Sequence, residues 1–366
     1  MSDRRPVRSE YMEWSKTDRK ARFTLSQSGI LPVTLGELGV SLDDLSLSPP
    51  GGYGWRPLVE AIASWRGLAP DRIVTASGTS GANHLAMAAL IESGDEVVVE
   101  DPVYEPMASL ARYLGARLQP MPRRRENRFR LDPDDAVHAI GPKTRLVLVS
   151  NLHNPAPVAI DEATLRALGA AAARVGARVL VDEVYLDAAF EQAPPSAASL
   201  GDEFVVTTSL TKVYGVGGLR AGWIAAEPGL ASRLWLLKNL FGVDDAHPAE
   251  RLARVALDKR GMLLARTRRI LDANRAVWHN FLAGRAEDLD DAPSPIGTTA
   301  FPGLRHGDGD TLERVLRARH ETSIVPGRFF GAPDHVRIGL TSEPTEFAQG
   351  IERLGLALDD LRGGRN

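Results

Sequence analysis

Cysteine is absent from the 366-residue sequence. Its absence excludes a disulfide framework, a thiolate metal site and a cysteine nucleophile. The start of the chain, Met1 to Ala21, also lacks the apolar stretch that a signal peptide or a membrane span requires, because it is rich in Arg, Lys, Asp and Glu. We therefore expect a cytoplasmic protein without a membrane partner.

A large net charge is lacking as well. The sequence has 44 basic and 47 acidic residues, which gives a formal net charge of -3. This balance argues against a nucleic-acid partner and favours a small-molecule ligand. No metal site is expected either, because His153 has no histidine or carboxylate partner at metal-like spacing, and we interpret it as structural.

The sequence does contain short β-branched runs that alternate with longer helical periodicity, from about Gly54 to Ile224. This alternation is typical of a parallel sheet flanked by helices. The predicted strands are Arg72 to Thr75, Glu96 to Glu100, Arg145 to Ser150, Arg178 to Val181, Glu203 to Thr207 and Gly222 to Ala225. The predicted helices are Gly81 to Glu92, Asp161 to Gly176 and one that starts at Asp132-Pro133. The fold class is therefore α/β, with a mostly parallel central sheet and flanking helices.

The pattern changes after Pro248. A long helical stretch rich in Arg and Ala is followed by a Pro/Gly-rich segment, Asp291 to Gly309, and then by helices and short strands in an α+β arrangement. A chain of 366 residues also exceeds the size at which a single core stops growing. We predict a large α/β domain at residues 46–272 and a smaller α+β domain formed by residues 1–45 and 273–366.

Lys212 follows a predicted buried strand in the run Ser209-Leu210-Thr211-Lys212, among hydroxyl groups and glycines. It could be an ordinary loop lysine, but desolvation and a nearby cation would make it a nucleophilic amine. Arg220 supplies such a cation and lies among glycines, where a guanidinium suits a phosphate. A dinucleotide loop is the other interpretation of these glycines, but the third glycine spacing and a following acidic residue are missing.

Polar residues follow two further predicted strands. Asp182 lies at a strand end, where a carboxylate could hold a proton on a pyridine nitrogen. Tyr185 could donate a hydrogen bond to a phenolate oxygen of the same ring, and Asn154 could bind a ring hydroxyl. Each also has a simpler interpretation: Asp182 as an ordinary loop acid, Tyr185 as a packed tyrosine, and Asn154 as an extended turn residue before a proline.

Gly78, Thr79 and Ser80 lie between a predicted strand and a helix, where free backbone N–H groups would cradle an anion. Tyr104 follows the next strand and could stack on a flat cofactor, although packing against the sheet is the simpler role. No single motif is specific. All of them fall just after successive strands, so one cleft would collect them.

In this order, the residues resemble the class I/II aminotransferases, which are fold type I enzymes that depend on pyridoxal 5'-phosphate. The resemblance covers nearly the whole chain. It implies that Lys212 forms a Schiff base with the cofactor and moves the proton, with Asp182 and Tyr185 as catalytic partners and Ser209 and Arg220 near the phosphate. The other implied cofactor contacts belong to the phosphate loop, the stacking ring and the ring hydroxyl: Gly78, Thr79, Ser80, Tyr104 and Asn154.

The resemblance also implies substrate contacts and an assembly. Arg337 is similar to the arginine that takes the substrate α-carboxylate, with Asn154 beside it. Gly29 lies in Ser28-Gly29-Ile30, which resembles a segment that closes over the substrate. Because the family forms dimers with shared active sites, a homodimer is implied.

Three features depart from the family pattern. The Asn154-Pro155 turn usually continues with a small residue and glycine, but here it continues with Ala156-Pro157-Val158. Tyr53 is the only tyrosine near the position from which the partner subunit contacts the phosphate. In the stretch where aspartate-specific members supply a second arginine from the neighbouring subunit, this chain has Gly242 to His247, which includes Asp244 and Asp245 and no arginine, so a dicarboxylate substrate is disfavoured.

The implied reaction is transamination, in which an amino acid donates its amino group and a 2-oxo acid accepts it. The alternative keeps the cofactor and changes the bond that breaks, as in a lyase, a decarboxylase or a cyclising synthase. A different class of protein, a sensing domain that binds the cofactor without turnover, is disfavoured because the motif set is complete.

Overall fold

A computed structural model describes residues 8–17, 21–41, 45–48 and 50–364. Its helices are α1 Glu10–Thr17, α2 Arg56–Arg66, α3 Gly78–Leu90, α4 Glu105–Tyr113, α5 Pro133–His138, α6 Glu162–Arg174, α7 Pro228–Lys238, α8 His247–Asp258, α9 Arg260–Ala283, α10 Gly309–His320 and α11 Pro344–Arg362. Its strands are β1 Phe23–Thr24, β2 Ile73–Ser77, β3 Glu96–Asp101, β4 Arg117–Pro122, β5 Thr144–Ser150, β6 Arg178–Asp182, β7 Phe204–Ser209, β8 Ala221–Ala225, β9 Leu289–Asp290, β10 Thr299–Ala300, β11 Gly303–Leu304, β12 Thr322–Ser323, β13 Val325–Pro326 and β14 Val336–Gly339.

The central sheet has seven strands in the order β2-β8-β7-β6-β5-β3-β4. Strand β8 runs antiparallel to both of its neighbours, and the other pairs are parallel. The middle strands are apolar runs such as Leu146–Val149, which is wholly buried because helices cover both faces of the sheet. The predicted α/β class with a mostly parallel sheet is confirmed.

All six predicted strands are present, with ends that differ by one to a few residues. The seventh, β4, was not predicted, because Pro120 and Pro122 interrupt its pattern. Proline is tolerated there because β4 is an edge strand, where one row of backbone groups has no strand partner. The helix predicted from Gly81 already begins at Gly78, so the predicted anion loop forms its first turn.

The C-terminal part of the chain packs around a separate apolar core, with α10 and α11 against the small sheet β10-β14-β13. The N-terminal segment joins this part, because β1 pairs in parallel with β12. The predicted domain boundary at 272/273 falls inside the continuous helix α9, which contributes Leu263 to the core of the large sheet and Trp278 to the C-terminal core. The division into two domains remains a prediction.

Within the described ranges, every helix is too short or too polar to cross a membrane. The cytoplasmic location remains a prediction from the sequence.

Candidate active site

A cavity of about 560 Å³ opens at the carboxyl ends of the parallel strands. Strands β5, β6 and β7 end there in Ser150, Asp182 and Ser209, which is where open α/β sheets bind ligands. The predicted site residues that line it are Gly29, Thr79, Ser80, Tyr104, Asn154, Asp182, Tyr185, Lys212 and Arg220. Gly78, Ser209 and Arg337 contact these residues from just outside, so the structure brings all the predicted residues to one place.

Lys212 enters the cavity from the loop after β7. Its Nζ lies 3.3 Å from Ser28 Oγ, and its backbone carbonyl accepts a hydrogen bond from Ile30 N. Burial lowers the pKa of its ammonium group, and the guanidinium groups of Arg337 and Arg220 act in the same direction. Lys212 is therefore easier to deprotonate than an exposed lysine, as a proton-transfer residue requires.

Gly29 packs directly over this lysine. A Cβ atom at Gly29 would lie 3.4 Å from Cδ of Lys212, so the segment approaches the lysine side chain closely. A larger residue there would press on the lysine.

Asp182 is buried at the end of β6. Its Oδ2 accepts a 2.9 Å hydrogen bond from Nδ2 of Asn83, and its Oδ1 accepts one of 3.0 Å from the backbone N of Val184. Burial raises the pKa of the Asp182 carboxyl, whereas these two hydrogen bonds and the charge of Lys212 lower it. The site thus combines a buried acid with donors that favour its anion.

Asn83 is a site residue that the sequence reasoning missed. It lies on α3 four positions after Thr79, so both residues occupy one face of that helix. The helical periodicity that follows the anion loop was the signal that could have identified it.

The first turn of α3 forms an anion-binding surface with Arg220. Thr79 Oγ1 donates a 2.7 Å hydrogen bond to Ser209 Oγ, and Gly78 lies against the Arg220 guanidinium. A Cβ atom at Gly78 would be 2.4 Å from Nη2 of Arg220, and the φ of Gly78 is +68°, so glycine is required on both counts. Free N–H groups of a helix start and a cation together suit a phosphate.

Two tyrosines line the cavity, Tyr185 buried and Tyr104 partly buried. Tyr185 OH donates a 2.7 Å hydrogen bond to Ser28 Oγ, and Tyr104 OH lies 3.6 Å from the sulfur of Met12. Burial raises the pKa of both phenols, so both remain protonated donors near neutral pH.

Arg337 is 1% exposed and lies just outside the cavity, in contact with two residues that line it, Asn154 and Tyr11. Its Nη1 donates to Asn154 Oδ1 at 3.0 Å, and its Nη2 donates to Tyr11 OH at 2.8 Å and to the Ser26 carbonyl at 3.3 Å. None of the carboxylates in the described ranges forms an ion pair with it. A buried guanidinium without an acidic partner is costly, and an incoming carboxylate would satisfy it.

Tyr11 is a second residue that the sequence reasoning missed. It lies on α1, in a stretch whose charged residues indicated only that no signal peptide is present. An eight-residue helix carries too little pattern to be tied to a site elsewhere in the chain.

The other residues singled out in the sequence lie outside the cavity. Tyr53 is 55% exposed and packs against Trp235 with ring centroids 5.7 Å apart. His153 is buried, and its Nε2 is 2.9 Å from the Pro102 carbonyl. Burial holds the pKa of His153 well below its usual value, and the described residues include no cluster of acidic and histidine side chains suited to a metal.

Comparison with known proteins gives a family match and full-length relatives. The sequence model of the family "Aminotransferase class I and II" matches residues 51–354. A capreomycidine synthase from Streptomyces vinaceus is 33% identical over 361 residues, which cover 94% of this chain and 92% of that protein.

Two solved structures are similar over nearly their whole length. A PLP-dependent aminotransferase from Streptococcus suis has a TM-score of 0.91 and 26% identity, and the match covers 97% of this chain and 98% of that one. The PLP-dependent cyclase OrfR has a TM-score of 0.87 and 26% identity, with 99% of both chains covered.

Proposed function

Because the chain belongs to the class I and II aminotransferases, a family that uses pyridoxal 5'-phosphate, we propose that it transfers the amino group of an α-amino acid to a 2-oxo acid. One observation carries this proposal. Lys212, whose pKa is lowered, shares a cavity with the buried acid Asp182. Arg337, a buried guanidinium that has no acidic partner among the described residues, lies just outside that cavity and donates to its lining residue Asn154. These are the groups needed to remove a proton from an amino acid and to hold its carboxylate.

The residues present fit the cofactor. Gly78 and Arg220 are so close that only a glycine fits, which leaves the helix start and the guanidinium open to a phosphate. Asp182 is available to a ring nitrogen, and Tyr185 and Asn154 to a phenolic oxygen. When bound, the cofactor supplies an electron sink for the carbanion formed at the substrate Cα.

The chain's own residues bind the substrate and move the proton. Arg337, held by Asn154, would bind the α-carboxylate through its planar donor fork. Lys212 would take the Cα proton and return it, because a neutral amine close to the substrate is a suitable base. Asp182, hydrogen-bonded by Asn83, would keep a proton on the ring nitrogen.

A cyclising synthase is the second candidate. It is favoured by the full-length similarity to a capreomycidine synthase at 33% identity and to the cyclase OrfR at a TM-score of 0.87. The same proton removal serves both reactions, and they differ only in the bond made or broken afterwards.

Nitrogen tracing separates the two functions. The holoenzyme would be incubated with ¹⁵N-labelled amino acids, with and without a panel of 2-oxo acids. For a transaminase we expect turnover that requires the 2-oxo acid and labelled nitrogen in the new amino acid. A product that keeps its own label, formed without any 2-oxo acid, would instead identify a cyclase or lyase.

The role of Lys212 is tested in the same assay. Lys212→Ala should abolish both turnover and borohydride-reducible attachment of the cofactor while the protein stays folded. Lys143→Ala changes an exposed lysine outside the cavity and should leave both unchanged. Unchanged turnover in the Lys212 variant would refute the assignment.

We also propose that the substrate side chain is basic or hydrogen-bonding rather than acidic. Asp245 is tied to the buried Lys238 by a 2.6 Å ion pair, whereas Asp244 is exposed on the same loop. Neither residue lines the cavity of its own chain, so in the proposed homodimer this loop would meet the substrate from the partner subunit, as the family pattern implies, and would there repel a second carboxylate. A substrate panel in which aspartate and glutamate react best would overturn this preference.

A homodimer is proposed on both the family pattern and an exposed apolar patch. The patch consists of Tyr53, Leu236, Leu240, Phe241 and Val243, each more than half exposed. Leu236, Leu240, Phe241 and Val243 lie at or just after the end of α7, and Tyr53 packs on Trp235 of the same helix. Large exposed apolar side chains grouped in this way mark interaction surfaces. A second copy of this chain is the partner that we propose for the patch.

A further inference from the structure

Helix α1 presents one face to the cavity. The residues that line it are Tyr11, Met12, Ser15 and Lys16. Ser15 and Lys16 each follow one of the first two by three or four positions, so all four lie on the same side of the helix. The first described helix of the chain therefore forms a wall of the site.

Packing fixes α1 in this position from two sides. Toward the large sheet, the rings of Tyr11 and Tyr104 pack edge to face with their centroids 5.6 Å apart, and Ser9 hydrogen-bonds to Glu105 at the start of α4. Toward the C-terminal part, Tyr11 packs edge to face with Phe329 at a centroid distance of 5.6 Å, and Trp14 packs against Phe329 at a centroid distance of 5.3 Å. The phenol of Tyr11 thus has a defined place between the two halves of the chain.

The hydroxyl of Tyr11 has an unused donor. Its oxygen accepts the 2.8 Å hydrogen bond from Nη2 of Arg337, and within the described residues its own proton has no acceptor. The Nε of Arg337 is also buried without a partner among them. Tyr11 and the guanidinium that it contacts therefore each have one donor without an acceptor among the described residues, and a phenol has a single proton to give.

We propose that Tyr11 is a ligand of the substrate α-carboxylate, carried into the site by α1 and acting beside Arg337. The inference rests on the proposed function, because it assumes an amino-acid substrate. A carboxylate offers about four lone-pair positions, more than one guanidinium fork fills, so a neighbouring O–H donor adds a contact. Tyr11 also holds the guanidinium in place through the hydrogen bond that it accepts from Nη2.

Tyr11→Phe tests the proposal, because it keeps the ring packing and removes only the hydroxyl. The probes are 2-methylalanine and tert-butylamine. The first has a carboxylate where the second has a methyl group, and neither has a proton on the carbon that bears the amine, so neither can react by proton loss there. Binding to the holoenzyme would be measured by calorimetry. We expect the Kd of 2-methylalanine to rise roughly tenfold in the variant, equivalent to about 1.4 kcal/mol, and the Kd of tert-butylamine to stay unchanged.

Tyr113→Phe is the matched control, since Tyr113 is a partly exposed tyrosine at the end of α4, outside the cavity. It should leave both Kd values unchanged. An unchanged Kd for 2-methylalanine in Tyr11→Phe, or an equal loss for both probes, would overturn the inference. A wild-type holoenzyme that binds the two probes equally would overturn it too. Failure of the proposed function is distinguished separately, because it would appear as a wild-type protein that takes up no pyridoxal 5'-phosphate.

Discussion

Asn83 is oriented toward Asp182 by a third residue. Its Nδ2 donates to Asp182 Oδ2 at 2.9 Å, while its Oδ1 accepts a 2.5 Å hydrogen bond from Thr207 Oγ1. With the amide oxygen occupied by the hydroxyl, the amide N–H faces the carboxylate. This arrangement stabilises the Asp182 anion against the burial that raises its pKa.

Asn83→Leu should therefore raise the pKa of Asp182 further. In the proposed mechanism activity needs the Asp182 anion, so the acid limb of the kcat profile should move to higher pH by about one pH unit, the effect of losing one hydrogen bond to a charged group. Thr207→Val is the control, because it leaves the Asn83 donor in place and should shift the limb less. A pH profile that is the same in Asn83→Leu and the wild type would contradict this role.

The sequence could predict the strand-end part of the site for a physical reason. Buried parallel strands must be continuous apolar runs, so the first polar residue after each run marks the end of a strand. Asp182 is predicted in this way, whereas Lys212 is predicted from its place among hydroxyl residues and glycines just after a strand. The sheet rule places such residues in one cleft. The α/β class, the family and the cofactor are confirmed, whereas the role of each residue remains a prediction.

The sequence could not predict the residues that reach the site from elsewhere. Tyr11 arrives on a helix of eight residues, and its contact with Arg337 spans 326 positions, a distance that no local pattern encodes. The two-residue strands β1, β9, β10 and β11 were not predicted either, because they are too short to show alternation. Tertiary packing, and not local pattern, decides both features.

The buried carboxylate of Glu100 holds the turn at Asn154 in place through Ser150. Oε1 of Glu100 accepts from Ser150 N at 2.8 Å and from Ser150 Oγ at 2.5 Å, and Arg123 pairs with its other oxygen. Ser150 Oγ in turn accepts a 3.2 Å hydrogen bond from the backbone N of Asn154. Glu100 and Ser150 thus position the amide that holds Arg337.

Ser150→Ala should loosen this turn. The backbone N of Asn154 loses its acceptor, so KM for the amino acid should rise several-fold while kcat changes little. Thr144→Ala is a matched control, because Thr144 makes a 3.0 Å hydrogen bond to Glu96 at the opposite end of the same two strands. Steady-state kinetics in which both variants behave alike, or in which kcat alone falls, would argue against the positioning role.

The apolar patch at the end of α7 should hold two copies together. Leu240 is 79% and Phe241 56% exposed, and Leu240→Glu with Phe241→Glu would place two carboxylates in the interface. Burying unpaired charge is costly, so sedimentation should show a dimer for the wild type and a monomer for the double variant. Leu356→Glu on α11, where Leu356 is 54% exposed, should remain dimeric. A wild type that sediments as a monomer would refute the assembly.

Glu183 should make the stability of the fold depend on pH. Its buried carboxylate accepts hydrogen bonds from Ser196 Oγ at 2.6 Å and from Ala197 N at 2.7 Å, yet burial outweighs them and raises its pKa from 4.5 to about 7. Between these two values the folded chain holds a proton that the unfolded chain has released. The free energy of unfolding should therefore fall as pH rises from 4.5 to 7, by about 3 kcal/mol for this group.

Glu183→Gln removes the titration and keeps the shape of the side chain. Urea unfolding at pH 5 and at pH 7.5 should show that this variant loses less stability between the two pH values than the wild type does. Part of the dependence of the unfolding free energy on pH should remain, because burial also raises the pKa of Asp291 to about 7. Glu162→Gln alters a half-exposed carboxylate paired with Arg166 and should retain the wild-type slope. Equal losses in the wild type and Glu183→Gln would mean that Glu183 ionises in the folded chain as it does in the unfolded one.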